Sequence, residues 1–203
     1  MKLAITLAAA FLAATPIDAL SQESPDRVDP LMDCSTPILD GETPEMKKRM
    51  LVQAGGDALV RELRDTYADR LAGLFWDQQD GEGSRLVLRL TGDEPVAQRR
   101  LTVCGEPLIV DFIAGQAHTR DELAKLHSDN LGWFRGTFPG LQATYADERT
   151  GEIVLEIYEP EAEGVDIEVL RRTSETRLGV PLRTELTQDR VVLQPALQPA
   201  GKN

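Results

Sequence analysis

Residues 71–90 read LAGLFWDQQDGEGSRLVLRL, and residues 141–157 read LQATYADERTGEIVLEI. In the first stretch, Leu71–Asp77 and the alternating run Arg85–Leu90 flank a Gly- and Asp-rich segment, which is the pattern of a β-hairpin. In the second, Leu141–Asp147 and Glu152–Ile157 flank the shorter turn ERTG. Leu71 matches Leu141, Asp77 matches Asp147, and Val87-Leu88 match Val154-Leu155, with charged residues alternating in the same places. An internal repeat therefore organises the chain.

The repeat extends outward from the hairpins. Pro107-Leu108-Ile109-Val110-Asp111-Phe112 pairs with Pro181-Leu182-Arg183-Thr184-Glu185-Leu186 as a third strand in each copy. Thr119 and Glu122 are spaced as a capping box ahead of a helix with Leu123, Leu126, Leu131 and Phe134 on one face. A connecting helix is expected over 161–177, stopped by Gly179 and Pro181, with a shorter counterpart over 93–101. Before the first hairpin, Thr43-Pro44-Glu45 is a helix start. Met46, Met50 and Ala54 share one face, but Leu59, Val60, Leu63 and Tyr67 fall nearly opposite, so two helices broken at Gly55-Gly56 are predicted. The expected fold is α+β: two tandem αββαβ units, each a three-stranded sheet with helices on one face, over 43–115 and 116–188.

The forms LAGLFWD…GSRLVLRLTGD and LQATYADERTGEIVLEIY resemble the prosegment domains of α-lytic protease and the streptogrisins, which share this hairpin signature and an αββαβ layout. The resemblance covers most of residues 57–187. It implies a partner, a chymotrypsin-like serine protease, whose domain does not follow in this sequence. It also implies a position for the tail 189–203, because in such prosegments the C-terminal tail lies in the protease cleft. Val191 to Asn203 would do likewise, with Pro195 and Pro199 favouring an extended strand-like pose.

At the N-terminus, Lys2 precedes a twelve-residue apolar run from Leu3 to Ala14, then Pro16 and Ala19-Leu20-Ser21, so residues 1–21 read as a signal peptide. The run is shorter than the roughly 20 residues a membrane span needs, so no membrane insertion is expected. The Pro-, Asp- and Ser-rich stretch 22–42 reads as an extended leader. Export implies a periplasmic or secreted protein, in which the two cysteines, Cys34 and Cys104, read first as a disulfide. With 34 acidic against 22 basic residues, the net charge of −12 argues against a nucleic-acid partner. At 41% hydrophobic and 28% charged, the composition is that of a globular protein.

Catalytic chemistry finds little footing. The only imidazoles, His118 and His127, read as a helix-terminus and a half-buried histidine, and there is no GxSxG. The histidine spacing does not suit zinc, and Asp77, Asp80 and Glu82 lack the spacing and distal Glu of a calcium loop. Gly81-Glu82-Gly83 joins two strands, not a strand and a helix, so it is no dinucleotide site. The expectation is a non-enzyme without cofactor or metal that binds another protein. The alternative is an envelope structural or ligand-binding protein that reuses the fold. The surface candidates are Leu74, Trp76, Trp133 and Tyr145, together with Pro195 and Pro199 in the tail. Ala72, Leu74, Trp76, Val87 and Val154 are expected on the sheet faces that the helices leave open.

Overall fold

The computed structural model describes Cys34, residues 43–77 and residues 83–191. The segments read as signal peptide (1–21) and, apart from Cys34, as leader (22–42), residues 78–82, and Pro195 and Pro199 lie outside the described residues. The protein is α+β. Helices α1 (Pro44–Gly55) and α2 (Asp57–Thr66) precede strands β1 (Leu71–Asp77), β2 (Ser84–Thr91), β3 (Arg99–Val103) and β4 (Glu106–Gln116). Helix α3 (Arg120–Thr137), strands β5 (Leu141–Asp147) and β6 (Glu152–Tyr158), helix α4 (Ile167–Leu178) and strand β7 (Leu182–Thr187) follow.

Thr43 caps α1, its hydroxyl accepting the Met46 amide at 3.2 Å. The break between α1 and α2 falls at the glycine pair, and packing explains it. A Cβ at Gly55 would lie 2.5 Å from the Cys104 sulfur, and one at Gly56 would lie 3.0 Å from the Trp76 ring. Cys104 is bonded to Cys34 with a Cα–Cα distance of 5.6 Å, closing a loop of 70 residues. In the chain-entropy account such a loop contributes about 4 kcal/mol. The bridge is consistent with an extracytoplasmic protein, and among the described residues no helix is long and apolar enough to cross a membrane.

The second unit has the expected αββαβ order. Thr119 and Glu122 form the reciprocal capping box of α3, and its sheet runs β5-β6-β7 with the third strand parallel to β6. Helix α4 begins later than the sequence suggests. A 3-10 turn at Glu159–Glu161 and a positive φ at Gly164 intervene before Asp166 accepts the Val169 amide as N-cap. Gly179, at φ 68°, ends the helix.

The first unit departs from the expectation. Residues 93–101 form no helix, and Arg99–Val103 is instead a strand paired antiparallel to β4, in a sheet of order β1-β2-β4-β3. Two features outweighed helical periodicity. Arg99-Arg100-Leu101-Thr102-Val103 alternates with a period of 2, and Cys104-Gly105, at φ 53° and 80°, makes a tight two-residue hairpin turn. The unit is thus ααββββ. Without β3 the two sheets agree in strand order, and each hairpin has a register shift at its first strand, between Leu71 and Gly73 and between Leu141 and Ala143. The third strands match two residues away from the Pro107/Pro181 alignment. Asp111 lies beside Val87 as Arg183 lies beside Val154, which makes Ile109 the counterpart of Pro181. A shift of two keeps every side chain on its face, so alternation alone does not reveal it.

Each unit has its own core. In the first, Val52 of α1 and Leu63 of α2 pack on Leu74, Leu86, Leu88, Leu90, Leu108 and Val110. In the second, Leu123 and Phe134 of α3 pack with Phe138 on Ile153, Leu155 and Ile157. Each leucine withdrawn this fully from water is worth about 1.5–3 kcal/mol of transfer free energy.

Candidate interaction surface

Each sheet turns one face to its helices and the other away. In the first, Leu74 sits opposite Leu88 and Trp76 opposite Leu86, on the helix side. Leu74 is buried, and Trp76 is half-buried against Gly56 and the core. These two candidates therefore belong to the interior. The neighbouring aromatic, Phe75, is the one on the outer face, across from Val87. Alternation says that Phe75 and Trp76 diverge but not which points outward. Val87 and Val154 lie on the outer faces as expected, across from Phe75 and Tyr145, but they and Ala72 are buried. Trp133 packs against the second core, in edge contact with Phe138 and with the Arg177 guanidinium 4.4 Å above its ring. Only Tyr145 among the described candidates is substantially exposed, at 41%.

The outer face of the first sheet receives the β5–β6 turn of the second unit. That turn is shaped locally by Asp147, whose carboxylate accepts the Arg149 amide at 2.9 Å and the Thr150 hydroxyl at 3.0 Å, and by Gly151 at φ 78°. The Glu148 carbonyl oxygen lies so close to Gly73 that a Cβ there would be 2.1 Å from it. Arg89 donates to the same carbonyl at 3.2 Å and also to Gln116. The Arg149 guanidinium lies 5.0 Å from the Phe75 ring centroid and donates to the Trp76 carbonyl at 3.4 Å. Burial lowers the Arg89 pKa from its ordinary value, with Asp147 and Glu152 pulling the other way. Sequence reasoning missed this joint. Its one available signal was Gly73, an isolated glycine in a strand, which often marks close backbone approach.

The outer face of the second sheet is built on the same register but carries other charges. Tyr145 replaces Phe75, Glu152 replaces Arg85, Glu156 replaces Arg89, Arg183 replaces Asp111, and Glu185 replaces Ile113. Arg183 is held at 3.1 Å by Glu152 and 3.2 Å by Asp147, and it also pairs with Glu185. Desolvation would lower the Arg183 pKa, but Glu152, Tyr145 and Asp147 raise it. Beside this sheet, the Glu159–Ile167 connection and β7 line an open groove of about 700 Å³ that includes Leu186, Val165, Glu159, Glu163 and Asp166.

The histidines have structural surroundings. His118 Nε2 lies 3.2 Å from the Gly179 carbonyl, tying the start of α3 to the end of α4. His127 stacks at 6.4 Å on Phe134, with Nε2 buried and without a hydrogen-bond partner among the described residues. Burial lowers its pKa, and the Thr144 backbone raises it. Among the described residues, no group of three or more His, Cys, Asp or Glu side chains is placed to hold a metal ion. No protein-family model matches the chain, and no curated protein matches it.

Proposed function

We propose that this protein is an exported, non-catalytic binding module for an extracytoplasmic chymotrypsin-like serine protease, serving as its inhibitor or folding assistant in the periplasm or the extracellular medium. The observation that carries this reading is the second unit. Its helix, hairpin, crossover helix and parallel third strand over 120–187 form the layout of the protease prosegments that the sequence resembles. The engagement of both histidines in helix packing supports a binding role over a catalytic one. The test is to titrate the mature protein, with and without residues 191–203, against chymotrypsin-like proteases of its own envelope. Inhibition or faster refolding of one of them is expected, weakened by the truncation. Absence of inhibition, refolding assistance and complex formation would overturn the proposal in favour of an envelope structural or ligand-binding role.

A further inference from the structure

We infer that the outer face of the second sheet, centred on Tyr145, is a docking surface for a β-turn of a partner protein carrying arginine or lysine. This deepens the binding-module reading and rests on it. The first sheet shows how such a face is used. There a β-turn lies across the strands, its Arg149 guanidinium stacks over Phe75, and its backbone meets Gly73 and Arg89. The second sheet repeats the strand register and the central aromatic. At its outer face, Tyr145 is 41% exposed, and the Arg183 and Glu185 side chains are 37% and 38% exposed.

The substitutions between the two faces define the partner. On the first sheet, Arg85 and Arg89 balance Asp77 and Asp111. On the second, Asp147, Glu152, Glu156 and Glu185 face Arg183, with Arg89 of the first unit near Asp147 and Glu152, so the surplus of carboxylates lies toward Glu156 and Glu185. A cation over Tyr145 gains from the ring and from the surplus carboxylates together, whereas an acidic turn meets like charge. Ala143 stands where Gly73 stands in the first sheet. A methyl there keeps a carbonyl from seating on the backbone as Glu148 does, so the incoming turn rides higher and makes its contact through side chains. A basic side chain reaching down to the ring fits that spacing.

The experiment uses the mature, disulfide-bonded protein and two cyclised β-hairpin peptides that differ only in an Arg-Arg-Thr-Gly or Glu-Glu-Thr-Gly turn. Amide chemical-shift mapping should show saturable changes at Tyr145, Glu156 and Glu185 with the basic peptide alone. Tyr145→Ala should weaken binding about fivefold, and the Glu156→Arg/Glu185→Arg pair at least about tenfold. Tyr145→Ala should retain a wild-type thermal midpoint. The charge-reversed pair should stay cooperatively folded, with a midpoint lowered only by the loss of the half-exposed Arg183–Glu185 pair, and raised salt should weaken the wild-type complex. Equal response to both peptides, shifts confined to the first unit or to the 159–167 groove, or no saturable shift would overturn the inference. Self-association through Tyr145 in sedimentation would also overturn it, by making a second copy the occupant. Peptide binding without inhibition, refolding assistance or complex formation with any protease would retain this surface and sink the protease proposal; the reverse result would sink this surface alone.

Discussion

Replacing Gly73 by alanine tests whether the two units are locked by the seating of one turn on one strand. The φ of Gly73 is outside the left-handed region, so alanine carries no backbone penalty, and only space is at stake. The new methyl would sit 2.1 Å from the Glu148 carbonyl oxygen and 3.0 Å from its carbon. To reach an ordinary contact of 3.4 Å or more, the turn must withdraw by over an ångström. That movement breaks the Arg89–Glu148 hydrogen bond, now 3.2 Å, and the Arg149–Trp76 bond, now 3.4 Å. At about 1 kcal/mol each, with some residual strain, the loss is about 2–3 kcal/mol. The stiffer unfolded chain offsets about 0.4–1 kcal/mol of this, leaving a net destabilisation of about 2 kcal/mol. Denaturant unfolding with the disulfide intact measures it, and amide exchange at Gly151 reports on the turn. The matched change Ala143→Gly should cost no more than about 1 kcal/mol and leave Gly151 exchange untouched. A Gly73→Ala protein as stable as wild type, with unchanged Gly151 exchange, would refute this account of the joint.

Three further outcomes are expected. Intact-mass analysis after alkylation without reduction should find no free thiol, and Cys34→Ser/Cys104→Ser should lower stability by about 4 kcal/mol in denaturant unfolding. His127 has a folded pKa below its unfolded value, so its neutral form's contribution is fully present above the ordinary value of 6.5 and is lost as pH falls through the folded pKa. His127→Leu should flatten the stability profile across that window, as read by thermal midpoints against pH. Glu175 accepts the Leu182 amide at 2.9 Å while Arg171 donates to the Leu182 carbonyl at 3.3 Å, so together they cap the start of the outer edge of β7. Glu175→Ala should therefore cost about 1–2 kcal/mol and speed exchange of the Leu182 amide.

Local chemistry was legible in the sequence wherever one segment decided its own structure. Both hairpins, the capped start of α3, the corner at Gly55-Gly56 and the Cys34–Cys104 pair could all be read there. The helix expected over 93–101 failed because a competing turn, Cys104-Gly105, sits just beyond the segment and recruits it as a strand onto β4. The two-residue error at Pro107/Pro181 and the inward placement of Leu74 and Trp76 share one cause. Period-2 patterns fix which residues lie together, but neither how far a strand has slid by an even step nor which side the helices cover. Tyr145 could be named from sequence, but the meaning of its face could not. That depends on a turn 73 residues away from Trp76 making contact with it through Arg149, and the one local signal, Gly73, marks a close approach without saying which segment makes it.

The contact between Gly55 and the Cys104 sulfur joins two features that are far apart in the chain. The space that a side chain would fill at Gly55 is held by half of a covalent bond, so a side chain at 55 and the bridge exclude one another. In descent, the two positions should be inherited as a unit. Losing the cysteine pair clears the sulfur but leaves Val103 Cγ1 2.9 Å from a Cβ at 55 and the Trp76 ring 3.0 Å from one at 56, so the corner persists. A lineage that keeps the pair must keep the glycine, and the corner with it.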